Sequence, residues 1–457
     1  MNLTAESDAP APPEARDATP AKGLQVYATF RDNVTPLGVM LGGLIAFGIY
    51  LRLNDFGYPP HLQFDEHHFV ETARGYLKHQ PDWNDHPPLG KLLLAAAMKQ
   101  FGDTPVGFRI PSLIAGFLSI IVGAWAAARL FGSRTAALLA AALLCADGFL
   151  IAYSRAALLD GFLTLASLLT LLLVSFELSV PWGIAAGLTL GAAVSVKFSG
   201  IAVVLPFLFA IAVSKRDPKT KFSVMGACGI AAAFVYFTSY SIGLGMTDKA
   251  HGIADVVADT QRLLRHHAEL TDMKNPATSG WITWMLPTRP LLLGISESQG
   301  AIRALTTLGN LATWWSAVVL FSLSVATILR HGWAKVLGEQ ASIAEPNHDS
   351  RGAGPVNAFV FEQGRSVMFA LLLCVGFLAP WILTHRDSYI YHFLPAYAPL
   401  VVLLAGFLSW YEKHRPMHVL GFVAAVVLVA AFYAPLWSYL PMTRDAFDLR
   451  LFLRSWR

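Results

Sequence analysis

The chain has 457 residues, 55% of them hydrophobic and 14% charged, with a net charge of +4 and a mean hydropathy of +0.50. A soluble domain carries about a quarter charged residues. This composition therefore excludes a water-soluble globular protein and predicts an all-α polytopic membrane protein, since helices satisfy their own backbone in lipid. The slight positive charge gives no nucleic-acid signal, because Lys and Arg sit in short segments between apolar blocks. Cys145, Cys228 and Cys374 lie far apart inside such blocks, with no metal-ligand spacing or disulfide framework.

Residues 1–35, rich in Ala, Pro and charge, read as a disordered cytoplasmic tail without the apolar stretch of a signal peptide. A membrane domain over 36–437 follows. Its apolar blocks lie near 37–51, 107–128, 134–153, 158–178, 182–196, 200–213, 222–243, 305–329, 366–384, 389–410 and 417–437, which predicts about eleven spans. Basic residues cluster at Arg129/Arg134, at Lys215 to Lys221, between Arg330 and Arg365, and at Lys413/Arg415. With the N-terminus inside, all four clusters are cytoplasmic, as the positive-inside rule favours. The polar segment 52–105, the long loop 246–304 and a tail over 438–457 then fall on the outer face.

The residues with chemical character collect on that outer face. Asp65-Glu66, soon after the first span, are adjacent carboxylates at a membrane surface, where charge defaults to a functional reading. One of them could take a proton from an acceptor hydroxyl; the bland alternative is a solvated loop pair. His67 and His68 follow without an HExxH-type arrangement. In Asp85-His86-Pro87-Pro88-Leu89-Gly90-Lys91 the prolines delay a helix, so Lys91 falls near a helix N-terminus that suits an anion, or anchors at the headgroups. Arg109 heads the second span, Arg155 and Asp160 bracket an outer turn, and Lys197 interrupts an apolar run. Arg386 and His392 stand at the outer start of a late span. Each could be a structural pair or an anchor, but together the cations suit a lipid phosphate.

The order FDEHHF, DHPPLGKLLLA, GFRIPS, SRAALLD, VSVKFSG, then ATSGWITWMLPTRP, TLGNLATWW and YIYHFLPAYAPL, resembles the dolichyl-phosphate-mannose protein O-mannosyltransferases, glycosyltransferase family 39. The resemblance covers most of 36–437. It implies a GT-C fold with a large first outer loop, in a bacterial inner membrane. It implies inverting transfer of mannose from a polyprenyl-phosphate carrier to Ser or Thr hydroxyls. Asp65 matches the family's base, with Glu66 beside it; Asp85 and His86 match the second motif of the loop, and Arg109 a family arginine. Lys91, Arg155, Asp160, Lys197, Arg386 and His392 as donor contacts are inferred from the residues alone. The loop 246–304 has no room for the soluble MIR domain of the eukaryotic members, which marks a bacterial form and leaves open how a protein acceptor is held.

The donor is then a lipid-linked sugar, and the acceptor a secreted protein or, on the same fold, lipid A or another glycolipid. A lipid-linked-sugar transporter is a third reading, disfavoured because the charges sit in a loop and no inverted repeat is evident. A divalent metal is compatible with the site, but no spacing requires one. Monomer and dimer both stay open.

Overall fold

The computed structural model describes residues 35–80, 85–269, 277–338, 354–384 and 387–456. The tail expected over 1–35 lies outside these residues except for Thr35. Five helices open the chain: α1 (Pro36–Leu53), α2 (Glu66–Leu77), α3 (Leu89–Phe101), α4 (Pro105–Phe131) and α5 (Arg134–Cys145). Next come α6 (Gly148–Arg155), α7 (Asp160–Leu173), α8 (Val180–Val196), a 3-10 turn (Phe198–Val203) and α9 (Val204–Val213). Then α10 (Pro218–Gly245), α11 (Ile253–Glu269) and α12 (Trp281–Met285) lead to a hairpin, β1 (Leu292–Ser298) and β2 (Ala301–Thr306). The last part holds α13 (Leu311–His331), α14 (Trp333–Gly338), α15 (Pro355–Glu362), α16 (Gly364–Leu383), α17 (Leu394–Glu412), α18 (Pro416–Ser438) and α19 (Arg444–Arg450).

Seven helices among the described residues are long and apolar enough to cross a membrane, and an eighth candidate is the pair α5–α6, bent by 61°. The remaining apolar blocks of the sequence fall on the shorter apolar helices α7, α8 and the 3-10 turn continuing into α9. A bend inside lipid exposes backbone groups that must find partners. Here Asp147 caps α6 by accepting from the N–H groups of Phe149 and Leu150. On the other side of the bend, Arg52 donates to the carbonyls of Leu144 and Cys145. The second Asp147 oxygen accepts from the Asn310 N–H and the Tyr397 hydroxyl, at 2.9 and 2.8 Å. One buried carboxylate thus joins α6, the start of α13 and α17.

Helices α8 and α10 approach along Gly183, Gly187 and Gly191, the small-residue row by which membrane helices bring their backbones together. A Cβ on Gly187 would stand 2.2 Å from the Cys228 carbonyl oxygen.

Two features depart from the sequence reading. The expected all-α fold carries the antiparallel hairpin β1–β2, so the block near 305–329 begins as strand, and its helix starts only at Leu311 after the Asn310 cap. The segments 52–105 and 246–304, read as loops, contain α2 and α3, and α11, α12 and the hairpin. The hairpin is tied to the segment after α1: Arg303 pairs with Asp55 at 2.8 Å and stacks on Tyr58, whose hydroxyl meets Ser296 at 2.6 Å. Ile302 exchanges backbone hydrogen bonds with Met442. The first polar segment, the hairpin and the C-terminal residues therefore form one cap over one end of the helices.

Gly187→Leu should wedge α8 from α10. Overpacking of this kind costs about 1–3 kcal/mol, read as a lower thermal midpoint in detergent, with Gly229→Leu, where a side chain meets open space, leaving the midpoint unchanged.

Candidate active site

The site begins at a strained turn. Phe64 has φ of +47°, a conformation that costs a bulky residue about 1–3 kcal/mol. It turns the chain so that Asp65 is the N-cap residue of α2 and Glu66 its first helical residue. The two neighbours then face different surroundings.

Glu66 is fully buried and Arg109 likewise. They form a two-pronged pair, Nε to Oε1 at 2.8 Å and the second guanidinium nitrogen to Oε2 at 2.9 Å. Backbone N–H groups complete the carboxylate: Ala157 donates to Oε1 at 2.8 Å and Gln63 to Oε2 at 3.1 Å. The rest of the Arg109 guanidinium donates to the carbonyls of Gly57, Pro59 and His61. An arginine has five N–H donors, and protein acceptors take all of them. The pair clamps the first polar segment to α4 and to the turn before α7.

Asp65 has no side-chain capping bond and stays partly accessible. Burial raises its carboxyl above the ordinary carboxylate range; Lys197 and His68 pull against this, while the charges of Asp160 and Asp85 add to it. Lys197 and Asp160, both buried, pair at 2.7 Å, and the Lys197 ammonium lies 5.1 Å from the centre of the Tyr391 ring. Tyr391 also meets Phe64 edge-on, so the aromatic wall touches both the strained turn and the cation. Asp160 sits in the first turn of α7, where the helix dipole favours a negative charge. Lys197 follows the last residue of α8.

The DHPPLGK motif forms the neighbouring wall. Lys91 is almost wholly buried; it donates to the His86 carbonyl at 2.9 Å and lies 5.9 Å from the centre of the Tyr76 ring. The His86 ring stacks on His267 of α11, whose Nε2 stands 2.7 Å from the Asp85 carbonyl oxygen. Helix α11 therefore roofs this motif.

The structure thus brings Asp65, Asp85, Asp160 and Lys197 into one electrostatic neighbourhood, with His86 and Lys91 on the wall beside it. Glu66 and Arg109 stand behind it, engaged with each other. Arg155 is placed elsewhere: it donates to the carbonyls of Leu51, Arg52, Asn54 and Asp55 and so caps the C-terminal end of α1. His392 stacks on Trp381 with centroids 3.6 Å apart. Arg386 lies outside the described residues. Among the described residues, no group of three or more His, Cys, Asp and Glu side chains is arranged to hold a metal ion.

Four residues near this centre were given no site role in the sequence reading. Arg52 and Asp147 are ionisable residues at membrane depth, which by itself marks a position worth assigning. Tyr153 of α6 lies within electrostatic reach of Asp160, Tyr391 and Asp65, and a tyrosine in an apolar run carries no such mark. His267 sits in the amphipathic α11, and only the fold brings it to Asp85.

Models of one family match consecutive parts of the chain. Residues 43–106 and 85–242 match two models described as dolichyl-phosphate-mannose-protein mannosyltransferase. Residues 252–456 match the C-terminal four-transmembrane region of protein-O-mannosyltransferase. The chain belongs to the protein O-mannosyltransferase family. A polyprenol-phosphate-mannose–protein mannosyltransferase of Mycobacterium tuberculosis is 26% identical, over 93% of this chain and 91% of that protein. One of Corynebacterium glutamicum is 23% identical, over 86% and 88%. The fold is that of the protein O-mannosyltransferase Pmt1–Pmt2 complex of S. cerevisiae bound to the sugar donor, with a TM-score of 0.73 at 15% identity over 93% of both chains. ArnT of Cupriavidus metallidurans in the apo state follows at 0.55 and 14%, over 94% of this chain and 69% of that one. The resemblance read from FDEHHF and DHPPLGK thus extends over nearly the whole chain.

Removing one partner of a buried ion pair costs about 3–5 kcal/mol. Arg109→Met should therefore lower the thermal midpoint sharply, and Arg155→Met should do the same by stranding the carbonyls it caps. Neutralising the exposed Arg444 to Gln should leave the midpoint within about 1 °C, because its pair with Glu297 is half in solvent.

Proposed function

We propose that this chain transfers mannose from a polyprenyl-phosphate-mannose donor to Ser or Thr hydroxyls of exported proteins, and that Asp65 is the base. The observation that carries the assignment is the division of labour between the two adjacent carboxylates. Glu66 is closed off by Arg109 and two backbone N–H groups. Asp65 stands partly accessible, without a capping bond, within electrostatic reach of the Asp160–Lys197 pair.

The step is a single displacement. The Asp65 carboxylate takes the proton of the acceptor hydroxyl, and the hydroxyl oxygen forms a bond to the anomeric carbon of mannose. The bond from that carbon to the donor's phosphate oxygen breaks with inversion, and the lipid phosphate departs with the electron pair. Lys197, with Lys91 on the adjoining wall, supplies positive potential where charge grows on the phosphate, the kind of term that is often largest in such reactions. Asp85 and His86 hold the edge of the pocket under α11. The pKa direction at Asp65 fits this role, since a base works best with a pKa near the working pH. A glycolipid acceptor has only the shared fold of ArnT in its favour.

The membrane arrangement follows the same reading. The seven long spans, the bent pair and the three shorter apolar helices together make eleven crossings, in a bacterial inner membrane. Successive crossings then put the basic clusters at Arg129/Arg134, Lys215 to Lys221, Arg330 to Arg365 and Lys413/Arg415 on the cytoplasmic side with the N-terminus. The Asp65 cluster faces outward, where exported chains emerge.

In membranes supplied with polyprenyl-phosphate-mannose and a Ser/Thr-rich peptide, Asp65→Asn should lower peptide labelling by about 10²–10⁴. In the unmutated chain, transfer needs Asp65 ionised, so it should be full at higher pH. It should fall as pH drops through a midpoint above the ordinary carboxylate value of about 4. Labelling of the lipid fraction in place of the peptide would reject the protein acceptor, and full activity of Asp65→Asn would reject the base.

A further inference from the structure

At the end of the helices opposite Asp65 lies a second recess. Helix α8 runs 17 residues from that end to Lys197, so at about 1.5 Å per residue the two places are roughly 25 Å apart. The recess has a volume of about 730 Å³ and opens between the α7–α8 connection, the end of α9 and the start of α16. Its lining combines apolar side chains, among them Phe176, Val213 and Phe369, with the cations Lys215, Arg216 and Arg365 and the carboxylate of Glu177.

The charges of the lining are not equivalent. Arg216 is paired with Glu177 at 2.5 Å, and that carboxylate is 87% exposed. Lys215 and Arg365 are exposed and form no ion pair among the described residues. They arrive from helices distant in sequence, Lys215 just after α9 and Arg365 in the first turn of α16, yet line one opening. Arg129 adds a further cation at the edge: its guanidinium lies 4.4 Å from the centre of the Phe176 ring and donates to the Ser175 carbonyl. Two uncompensated cations beside apolar side chains match an amphiphile with a negatively charged head. A basic pocket between membrane helices is a recognised way of holding a phospholipid headgroup, and a recess of this size suits a headgroup with the first part of its acyl chains.

We propose that this recess is a binding site for the phosphodiester headgroup of an anionic phospholipid. Lys215 and Arg365 take the phosphate, and Phe176, Val213 and Phe369 pack on the acyl chain. The site is separate from the transfer centre and does not depend on the reaction assigned there. A lipid bound here bridges α9 and α16, which also meet at the ring contact of Phe209 with Phe369.

The test is native mass spectrometry of the full-length chain in nonionic detergent, titrated with phosphatidylglycerol or with phosphatidylcholine. Phosphatidylglycerol should bind at least tenfold more tightly than phosphatidylcholine. The double variant Lys215→Ala/Arg365→Ala should lose that preference, since each cation near a phosphate contributes about fivefold. Lys413→Ala/Arg415→Ala, which removes two exposed cations outside the recess, should keep it. Equal binding of the two lipids would overturn the proposal. So would an unchanged preference in the Lys215/Arg365 variant, or an equal loss in the Lys413/Arg415 variant, which would signify only the general charge of that face. Displacement of the lipid by millimolar inorganic phosphate would assign the site to free phosphate and overturn the lipid reading. Both substituted pairs are exposed, so the thermal midpoint in lipid-free detergent should stay unchanged and serves as the folding control.

Discussion

The pairing of Glu66 with Arg109 at zero exposure is the constraint on which the site depends. Two charges withdrawn from water lose several kcal/mol each in hydration, so such a pair persists only where its remaining hydrogen bonds are also met. Here every prong is satisfied, and the partners belong to α2, α4, the turn before α7 and the segment around Gly57. These pieces are far apart in sequence, and the pair holds them in one arrangement. With Glu66 fixed, the backbone of the preceding residue is fixed as well, and Asp65 is presented toward Asp160 and Lys197 without a bond of its own.

The same logic recurs deeper in the helices. Arg52 at the end of α1 donates to the carbonyls that close α5, and Arg155 at the end of α6 donates to the carbonyls that close α1. Each arginine thus caps a helix that is not its own. Helix ends leave carbonyls without partners, and in lipid no water can supply them. The exchange lets α1, α5 and α6 end close to the site without exposing backbone to hydrocarbon. Asp147 does the corresponding work for the N–H groups at the bend. The rigid frame and the proposed reactive face are therefore made from the same residue types, separated by whether their hydrogen bonds are already taken.

This distinction explains what was legible in the sequence. The apolar blocks were readable because lipid imposes a composition, and each of them carries a helix; among the described residues seven of these helices, or eight counting the bent pair, are long and apolar enough to cross a membrane. The acidic pair and the DHPPLGK motif were legible as candidate site residues, and the fold brings them to adjoining walls. Which member of the pair is closed off was not, because the Arg109 partner comes from 43 residues away. Arg109 and Arg155 looked like phosphate ligands for the same reason: a costly cation announces itself, but its partners, here backbone carbonyls and for Arg109 also the Glu66 carboxylate, have no sequence signature. The hairpin was missed because strands of seven and six residues inside a long polar segment give too short an alternation. The bend at Ala146–Asp147 was missed because Asp147-Gly148 is a short interruption inside an otherwise apolar block that reads as one span.

The claim that one carboxylate frames the site while the other reacts is tested most directly by transfer per folded molecule in Glu66→Gln. Glutamine keeps the shape and one acceptor but gives up the charge, so the variant is expected to be less stable. Assayed at low temperature, with the folded fraction counted by size-exclusion chromatography, the folded molecules should retain transfer within about tenfold of the unmodified chain, as expected for a residue that only positions the base. Folded Glu66→Gln that is as inactive as Asp65→Asn would contradict the account and move the chemistry onto the buried pair.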